Sequence, residues 1–221
     1  MKRITLLWLA ALSLLAASCS NVYIAKSDPV QLVDDVLLLE PVSVIEFLTD
    51  EEMAVIDDDL SRENSEMVSE IILSRPGYYH VTDDAILSAT ATRDMINFYN
   101  TLASVKKKIV PAVPVPESIM SVIRDSGKRY ALAIVSGGFT RSKRNYTREV
   151  VRDVAIAILS LGNYVRVSNK AAFDTAAIII DFQTEEVVYF RRLDPRTHDP
   201  MDKKQVAFTI NMLFDRYLWT R

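Results

Sequence analysis

The last third of the chain constrains the fold most. "TAAIIIDF" (175–182) and "EEVVYFRRL" (185–193) are apolar, β-branched runs separated by Gln183-Thr184. Two such runs joined by a short polar turn predict a β-hairpin, although this turn lacks the usual glycine. After "DPRTHDP" the spacing predicts a final helix from about 201 to 219, with Val206, Ile210, Leu213 and Tyr217 on its buried face.

Upstream, helices alternate with strands. "DVLLLEPVSVIEFL" (35–48) predicts a buried strand at 35–40, then extended chain or a second short strand after Pro41. Thr49-Asp50-Glu51-Glu52 has the capping-box pattern, and Met53, Ile56, Leu60, Met67 and Ile71 follow at helical spacing. A helix over 50–74 is therefore expected, ended by Pro76-Gly77. "GYYHVTD" (77–83) reads as a short strand. Asp83 and Asp84 suit the start of the next helix, whose stripe is Leu87, Ala91, Met95, Phe98, Leu102 and Val105. "KKKIVPAVPVPE" (106–117) reads as an extended, proline-rich linker. A short helix follows, with Ile119, Met120 and Ile123 inward and Gly127 as terminator. "KRYALAIVSGGF" (128–139) reads as a buried strand leading to a Gly-Gly turn. Residues 145–164 predict a helix with Val151, Val154, Ile158 and Leu161 inward, ending at Gly162. Together these elements predict an α/β (α+β) fold: a mixed sheet of about five or six strands packed by helices, with a C-terminal β-hairpin and final helix.

The amino terminus supplies an address. Lys2 and Arg3 precede the apolar stretch "ITLLWLAALSLLAA" (4–17) and the small residues of "AASC". A basic n-region, a short h-region and a small-residue cleavage site describe a secretory signal peptide. The run is shorter than the roughly 20 apolar residues a membrane span needs. "AASC" resembles the bacterial lipobox, with Ala16 where its best-known form has leucine. The resemblance implies cleavage between Ser18 and Cys19 and acylation of Cys19. It also accounts for a lone cysteine in an exported chain. The expected organisation is a lipoprotein signal peptide at 1–18, a lipid-anchored tether at 19–34 and one α/β domain at 35–221. Several buried acyl carbons give stable anchoring at about 0.8 kcal/mol per CH2. Ser20, not Asp, follows the cysteine, so the inner-membrane retention signal of some Gram-negative bacteria is missing. The periplasmic face of the outer membrane is the expected location.

Composition bounds the partners. Taking Lys2 and Arg3 from 26 basic side chains leaves 24 against 29 acidic ones, a net charge of about −5. A nucleic-acid partner would want a clearly basic domain. With one cysteine, no disulfide can form within the chain, and a hydrophobic fraction of 49% must hold the fold alone. Five glycines make phosphate cradles unpromising.

No motif encodes catalysis. The two histidines, His80 and His198, lack metal-ligand spacing. "SGGFTRSK" (136–143) has no glycine before Lys143, as a phosphate loop needs, and Ser136 lies outside G-x-S-x-G. Asp57-Asp58-Asp59 lacks the Gly and distal Glu of a calcium loop and reads as a solvated helix face. No catalytic residue, metal or cofactor is assigned. Arg141, Lys143, Arg144 and Arg148 stand out in an acidic chain, on an expected loop. They are the candidate contacts to an acidic partner or lipid head groups.

"VLLLEPV" (36–42), "GYYHVTD" (77–83), "IRDSGKRYALAIVSG" (123–137) and "IIIDFQTEEVVYF" (178–190) together resemble a group of periplasmic assembly lipoproteins and their domain relatives. The group includes the curli-secretion-type lipoprotein, the activator lipoproteins of penicillin-binding proteins, and the amino-terminal domain of the Tol–Pal system's propeller protein. The hairpin matches in Asp181, Thr184 and the apolar flanks. It departs where Glu185 replaces the turn glycine, and the chain also inserts a helix at 145–161. The resemblance implies a non-enzymatic lipoprotein that binds or assembles envelope components, with a membrane contact through acylated Cys19 and an envelope protein partner. It supplies no catalytic residues. The rival expectation is a hydrolase or small-ligand carrier acting on cell-wall or carbohydrate fragments. A pocket gathering His80, Asp83, Asp84 or Ser136 would favour the rival. A flat, partly apolar surface near 139–148 would favour the binder.

Overall fold

A computed structural model of the chain describes residues 22–23, 33–51, 53–104, 113–150 and 169–214. Its strands are β1 (Val22–Tyr23), β2 (Val36–Leu39), β3 (Val42–Leu48), β4 (Ala54–Ile56), β5 (Val81–Ala85), β6 (Tyr130–Arg141), β7 (Ala171–Asp181) and β8 (Glu186–Arg196). Its helices are α1 (Asp58–Leu73), α2 (Pro76–Tyr79), α3 (Ala89–Ser104), α4 (Glu117–Ser126), α5, described over 143–150, and α6 (Lys203–Phe214).

All eight strands join one mixed sheet, in the order β1-β8-β7-β6-β2-β5, with β3 beside β6 and β4 beside β3. β2 and β3 both run parallel to β6, in registers that start at Val36↔Tyr130 and Val42↔Val135. They form one line broken at Glu40-Pro41, where the register slips by one residue. Pro41 has no N–H to give the ladder, so a break falls there. The sheet exceeds the expected five or six strands because β2 and β3 separate and two short edge strands, β1 and β4, join it.

Helices cover both faces. On one face Leu38, Leu132, Ile134, Phe173 and Tyr189 pack against Val68, Ile72, Val206, Ile210 and Phe214 of α1 and α6. On the other, Leu37, Leu39, Ala131, Ala133, Ile178 and Ile180 pack against Met95, Phe98, Leu102, Ile119 and Ile123 of α3 and α4. Burial on both faces is why β2 and β7 read as continuous apolar runs and do not alternate. Tyr189 Oη and Arg191 Nη1 both donate to the Leu213 carbonyl, which ties the end of α6 to β8.

The largest correction concerns α1. The predicted start at 50 does not occur, because Ala54–Ile56 is β4, paired antiparallel with β3 from Glu46↔Ile56 to Leu48↔Ala54. A helix starting at 50 would leave that edge of β3 without backbone partners. Among the described residues Thr49 Oγ1 accepts from the Glu51 N–H in the turn, at 3.3 Å. The cap is Asp57, whose Oδ1 accepts from the Leu60 N–H at 3.0 Å, with Asp58 and Asp59 in the first turn. The Asp57–Asp59 run is thus a cap and a favourable charge at the positive end of the helix dipole. Met53 and Ile56, expected inward, are exposed.

Other boundaries also move. Where a strand is expected over "GYYHVTD", Pro76–Tyr79 form one helical turn closed by His80 at φ 55°, and only then does β5 begin. Asp83 and Asp84 lie in β5, not at a helix start. Ser88 Oγ accepts from the Ala91 N–H at 3.2 Å and heads α3 in their place. β6 does not turn at Gly137-Gly138 but runs through them to Arg141. A Cβ on Gly138 would sit 2.4 Å from the Ala172 carbonyl oxygen, and one on Gly137 would sit 2.8 Å from Asp174 Oδ1. The pair allows close approach to β7; it does not bend the chain.

The hairpin is longer than expected, registered from Phe173↔Arg196 to Asp181↔Glu186. Glu185 occupies the left-handed position at φ 55° that the missing glycine would take. Asp181 Oδ1 accepts from the Gln183 N–H at 2.9 Å and braces this turn. α4 ends at Gly127, φ 68°, as the sequence implied. Residues 113–116 precede α4 without regular structure. Val105, residues 106–112, the inward set Val151 to Leu161, and Tyr217 lie outside the described residues. β1 pairs antiparallel with β8, Val22 opposite Arg191, within the segment expected as tether.

Two outcomes check this assignment by urea denaturation. Gly138→Ala is expected to lower the unfolding free energy by roughly 1–3 kcal/mol, since the new methyl meets backbone, whereas Gly77→Ala, with nothing within 4 Å, is expected to change it by less than about 1 kcal/mol. Asp57→Ala is expected to cost about 1 kcal/mol and Thr49→Ala less than about 0.5 kcal/mol. The reverse ranking would restore the earlier helix start.

Candidate functional site

The basic group at 141–148 sits on a strand end and a helix, not on a loop. Ser142 Oγ accepts from the Asn145 N–H at 3.0 Å and so caps α5. Asn145, itself buried, donates from Nδ2 to the Thr49 carbonyl at 2.8 Å. Arg141 is half-buried: Nη1 donates to Asn145 Oδ1 at 2.9 Å and its guanidinium lies 5.3 Å from the Phe139 ring centre. Arg141 therefore ties β6, α5 and the β3–β4 turn together. Lys143, Arg144 and Arg148 are exposed on α5, with Arg144 and Arg148 one turn apart on one face. Ser142 Oγ donates to Asp50 Oδ1, and Arg144 Nη1 lies 4.0 Å from Asp50 Oδ2. The acidic β3–β4 turn and the basic helix are thus direct neighbours.

The residue types that chemistry would use are apart from one another. His80 Nδ1 contacts Asp34 Oδ1 at 2.8 Å, at the entry to β5. His198 Nδ1 lies 3.0 Å from Thr209 Oγ1 on α6. Ser136 is buried within β6 and shares a 3.2 Å hydrogen bond with Thr175 of β7. Among the described residues no three His, Cys, Asp or Glu side chains gather to hold a metal ion. Cys19 lies outside the described residues.

A cleft of about 500 Å³ opens between α1 and the segment joining β5 to α3. The break at Glu40-Pro41 makes its floor, with Leu38, Val42 and Leu87. Asp84 lines it beside Glu40, Glu66 and Arg62; His80, Asp83 and Ser136 do not. Glu40 Oε2 accepts from the Leu87 N–H at 2.9 Å, and Arg62 pairs with Asp59 at 2.7 Å. Sequence reasoning missed this cleft, and its one signal was a Glu-Pro pair interrupting an apolar run.

A second polar cluster was also missed. Asp174 Oδ2 accepts from Arg192 Nη2 at 2.9 Å and from the Tyr99 hydroxyl at 3.5 Å. Gly137, lacking a Cβ, leaves the carboxylate its space. Burial, then the Asp174 charge, pushes the Tyr99 phenol up to about 12. Burial, then Tyr78, does the same to Tyr79, which donates to Asn211 Oδ1 at 2.9 Å.

No protein-family model matches the sequence, and no curated protein matches it. Among solved structures, the chain is similar to a PelC dodecamer from Paraburkholderia phytofirmans, with TM-score 0.42 and 11% identity over 90% of this chain and 97% of that one. A variant of that dodecamer gives 0.40 and 10%, over 87% and 95%. The LpoB C-terminal domain from Salmonella enterica gives 0.30 and 11%, over 85% and 92%. Scores below 0.5 at such identities say nothing of this chain's role. No helix among the described residues is long and apolar enough to cross a membrane.

Alkaline titration tests the two phenols, Tyr79 buried and Tyr99 half-buried. Unfolded tyrosines ionise near 10.0 and these two at about 12. The stability their neutral forms contribute is whole below 10.0 and is lost as pH rises from there to about 12. Of nine tyrosines, absorbance is expected to show at least these two ionising late, and Tyr99→Phe is expected to remove one late step. Tyr99 ionising with the exposed phenols would contradict its half-buried place beside Asp174.

Proposed function

We propose that the protein is a lipid-anchored envelope protein that acts by binding and assembling other envelope components, without catalysis. Acylated Cys19 would hold it at the periplasmic face of the outer membrane. The observation that carries the binding half is the exposed basic face of Lys143, Arg144 and Arg148 in an otherwise acidic chain. Charged faces of this kind steer and orient partners more than they add raw affinity. The separate structural engagements of His80, His198 and Ser136 support the same reading. So does the "AASC" tetrapeptide behind a short apolar run. Carriage of a small ligand is the second reading, favoured by the cleft that Glu40, Glu66 and Asp84 line.

In-cell cross-linking followed by mass spectrometry tests the proposal. Wild-type protein is expected to capture a reproducible envelope partner. Cys19→Ala is expected to abolish that capture by releasing the protein from the membrane. The triple change Lys143→Glu, Arg144→Glu, Arg148→Glu is expected to reduce it about tenfold or more while leaving the protein anchored and folded. Capture unaffected by both changes, or absent from abundant lipidated protein, would overturn the reading and favour the ligand carrier.

A further inference from the structure

Among the described residues β4 pairs only with β3. The Thr49 N–H donates to the Met53 carbonyl and the Asp57 N–H to the Ile45 carbonyl. The backbone groups of residues 53, 55 and 57 therefore face β3. By the alternation of an antiparallel ladder, the N–H and C=O of Ala54 and Ile56 point away from the sheet. The side chains along this edge are apolar and uncovered: Met53 is 54% exposed, Val55 50% and Ile56 58%. An open strand edge of this kind is a template for another strand. Proteins usually blunt such an edge by keeping it short or with charged side chains, proline or a bulge; β4 is three residues long, and none of the three is charged, proline or bulged.

Charge narrows the occupant. Glu46 stands opposite Ile56 in register, Asp50 and Glu51 precede β4, and Asp57, Asp58 and Asp59 follow it. Against these six carboxylates lie Arg62, on Asp59, and Arg144, 4.0 Å from Asp50. A second copy pairing its β4 about a two-fold axis would bring Asp50 and Glu51 of one copy against Asp57–Asp59 of the other. Like charges so placed disfavour the pairing. A strand with basic ends meets the opposite field.

We infer that β4 is a docking edge for an extended segment of a partner protein, an alternating β-branched strand flanked by lysine or arginine. It adds to the sheet through backbone hydrogen bonds to Ala54 and Ile56. Its β-branched side chains lie beside Met53 and Val55 on one face and Ile56 on the other. This edge adjoins the basic face of α5 through Asp50 and Arg144, but its backbone donors and acceptors at Ala54 and Ile56 belong to β4 alone.

Fluorescence anisotropy with the full-length, detergent-solubilised protein tests the inference. The probe is a nine-residue peptide of alternating valine and threonine with two arginines at each end. Its counterpart carries glutamates at the ends. The arginine-flanked peptide is expected to bind at least about tenfold tighter than its counterpart and to weaken in about 0.5 M salt. Ala54→Pro removes an outward N–H without touching the ladder to β3 and is expected to weaken binding about tenfold. The pair Asp50→Asn and Glu51→Gln keeps the hairpin, decides the matter if Ala54→Pro fails to fold, and is expected to weaken the arginine-flanked peptide alone. Equal affinity for the two peptides, no binding, or a folded Ala54→Pro that binds as wild type would overturn the inference. So would a dimer in sedimentation velocity that Ala54→Pro abolishes, which would assign the edge to a second copy. These readouts use protein with α5 unaltered and need no captured envelope partner, so a failure of the cross-linking test and a failure of this one are distinguishable.

Discussion

The close approach of β6 and β7 at Gly138 sets the geometry of the sheet. The Ala172 carbonyl occupies the space a side chain at 138 would need, so the two strands stay paired from Tyr130↔Asp181 to Thr140↔Ala171 without interruption. β2 and β3 align on the other edge of β6, and β8 aligns on β7. The same pairing places Gly137 opposite Asp174 and Ser136 opposite Thr175. The first pair leaves room for a carboxylate beside Arg192, and the second satisfies two buried hydroxyls. A chain with one cysteine has no disulfide to fix this register, and packing and pairing carry it.

From that frame the surface follows. The line of β2 and β3 is covered on its outer edge by β5 at one end and β4 at the other. Between them lie the Glu40-Pro41 break and the cleft. β6 runs on to Arg141 and delivers α5 beside the β3–β4 turn, so a basic helix and an acidic hairpin meet through Arg144 and Asp50. An edge with acidic flanks and a helix face with basic ones are complementary to different partners.

Much of the fold was legible because burial wrote itself into spacing. The α3 stripe of Ala91, Met95, Phe98 and Leu102 and the α4 set of Ile119, Met120 and Ile123 are buried as expected, and so are Ala176 to Ile180, Val187, Tyr189, Phe190 and Leu193 of the two hairpin runs. What failed was decided by partners distant in sequence. Thr49 to Glu52 has the local pattern of a helix start, yet the open edge of β3 draws Ala54–Ile56 into a strand, and Asp57 caps the helix. Propensity yields to tertiary pairing in this way. Gly137-Gly138 looks like a turn until the β7 backbone stands beside it. The candidate site was legible only in its charges. Lys143, Arg144 and Arg148 are exposed, but the half-burial of Arg141 depends on Phe139 and Asn145. The cleft draws on segments around 40, 62 and 84, which nothing in the linear order relates.

The proposed binding role in the envelope presupposes attachment to a membrane through Cys19. Intact-mass measurement of the protein extracted from membranes tests it most directly. A mature chain that begins at Cys19 and carries the added mass of acyl groups on that residue is the expected result. A mature chain beginning elsewhere, or one in which Cys19 remains a free thiol, would contradict it.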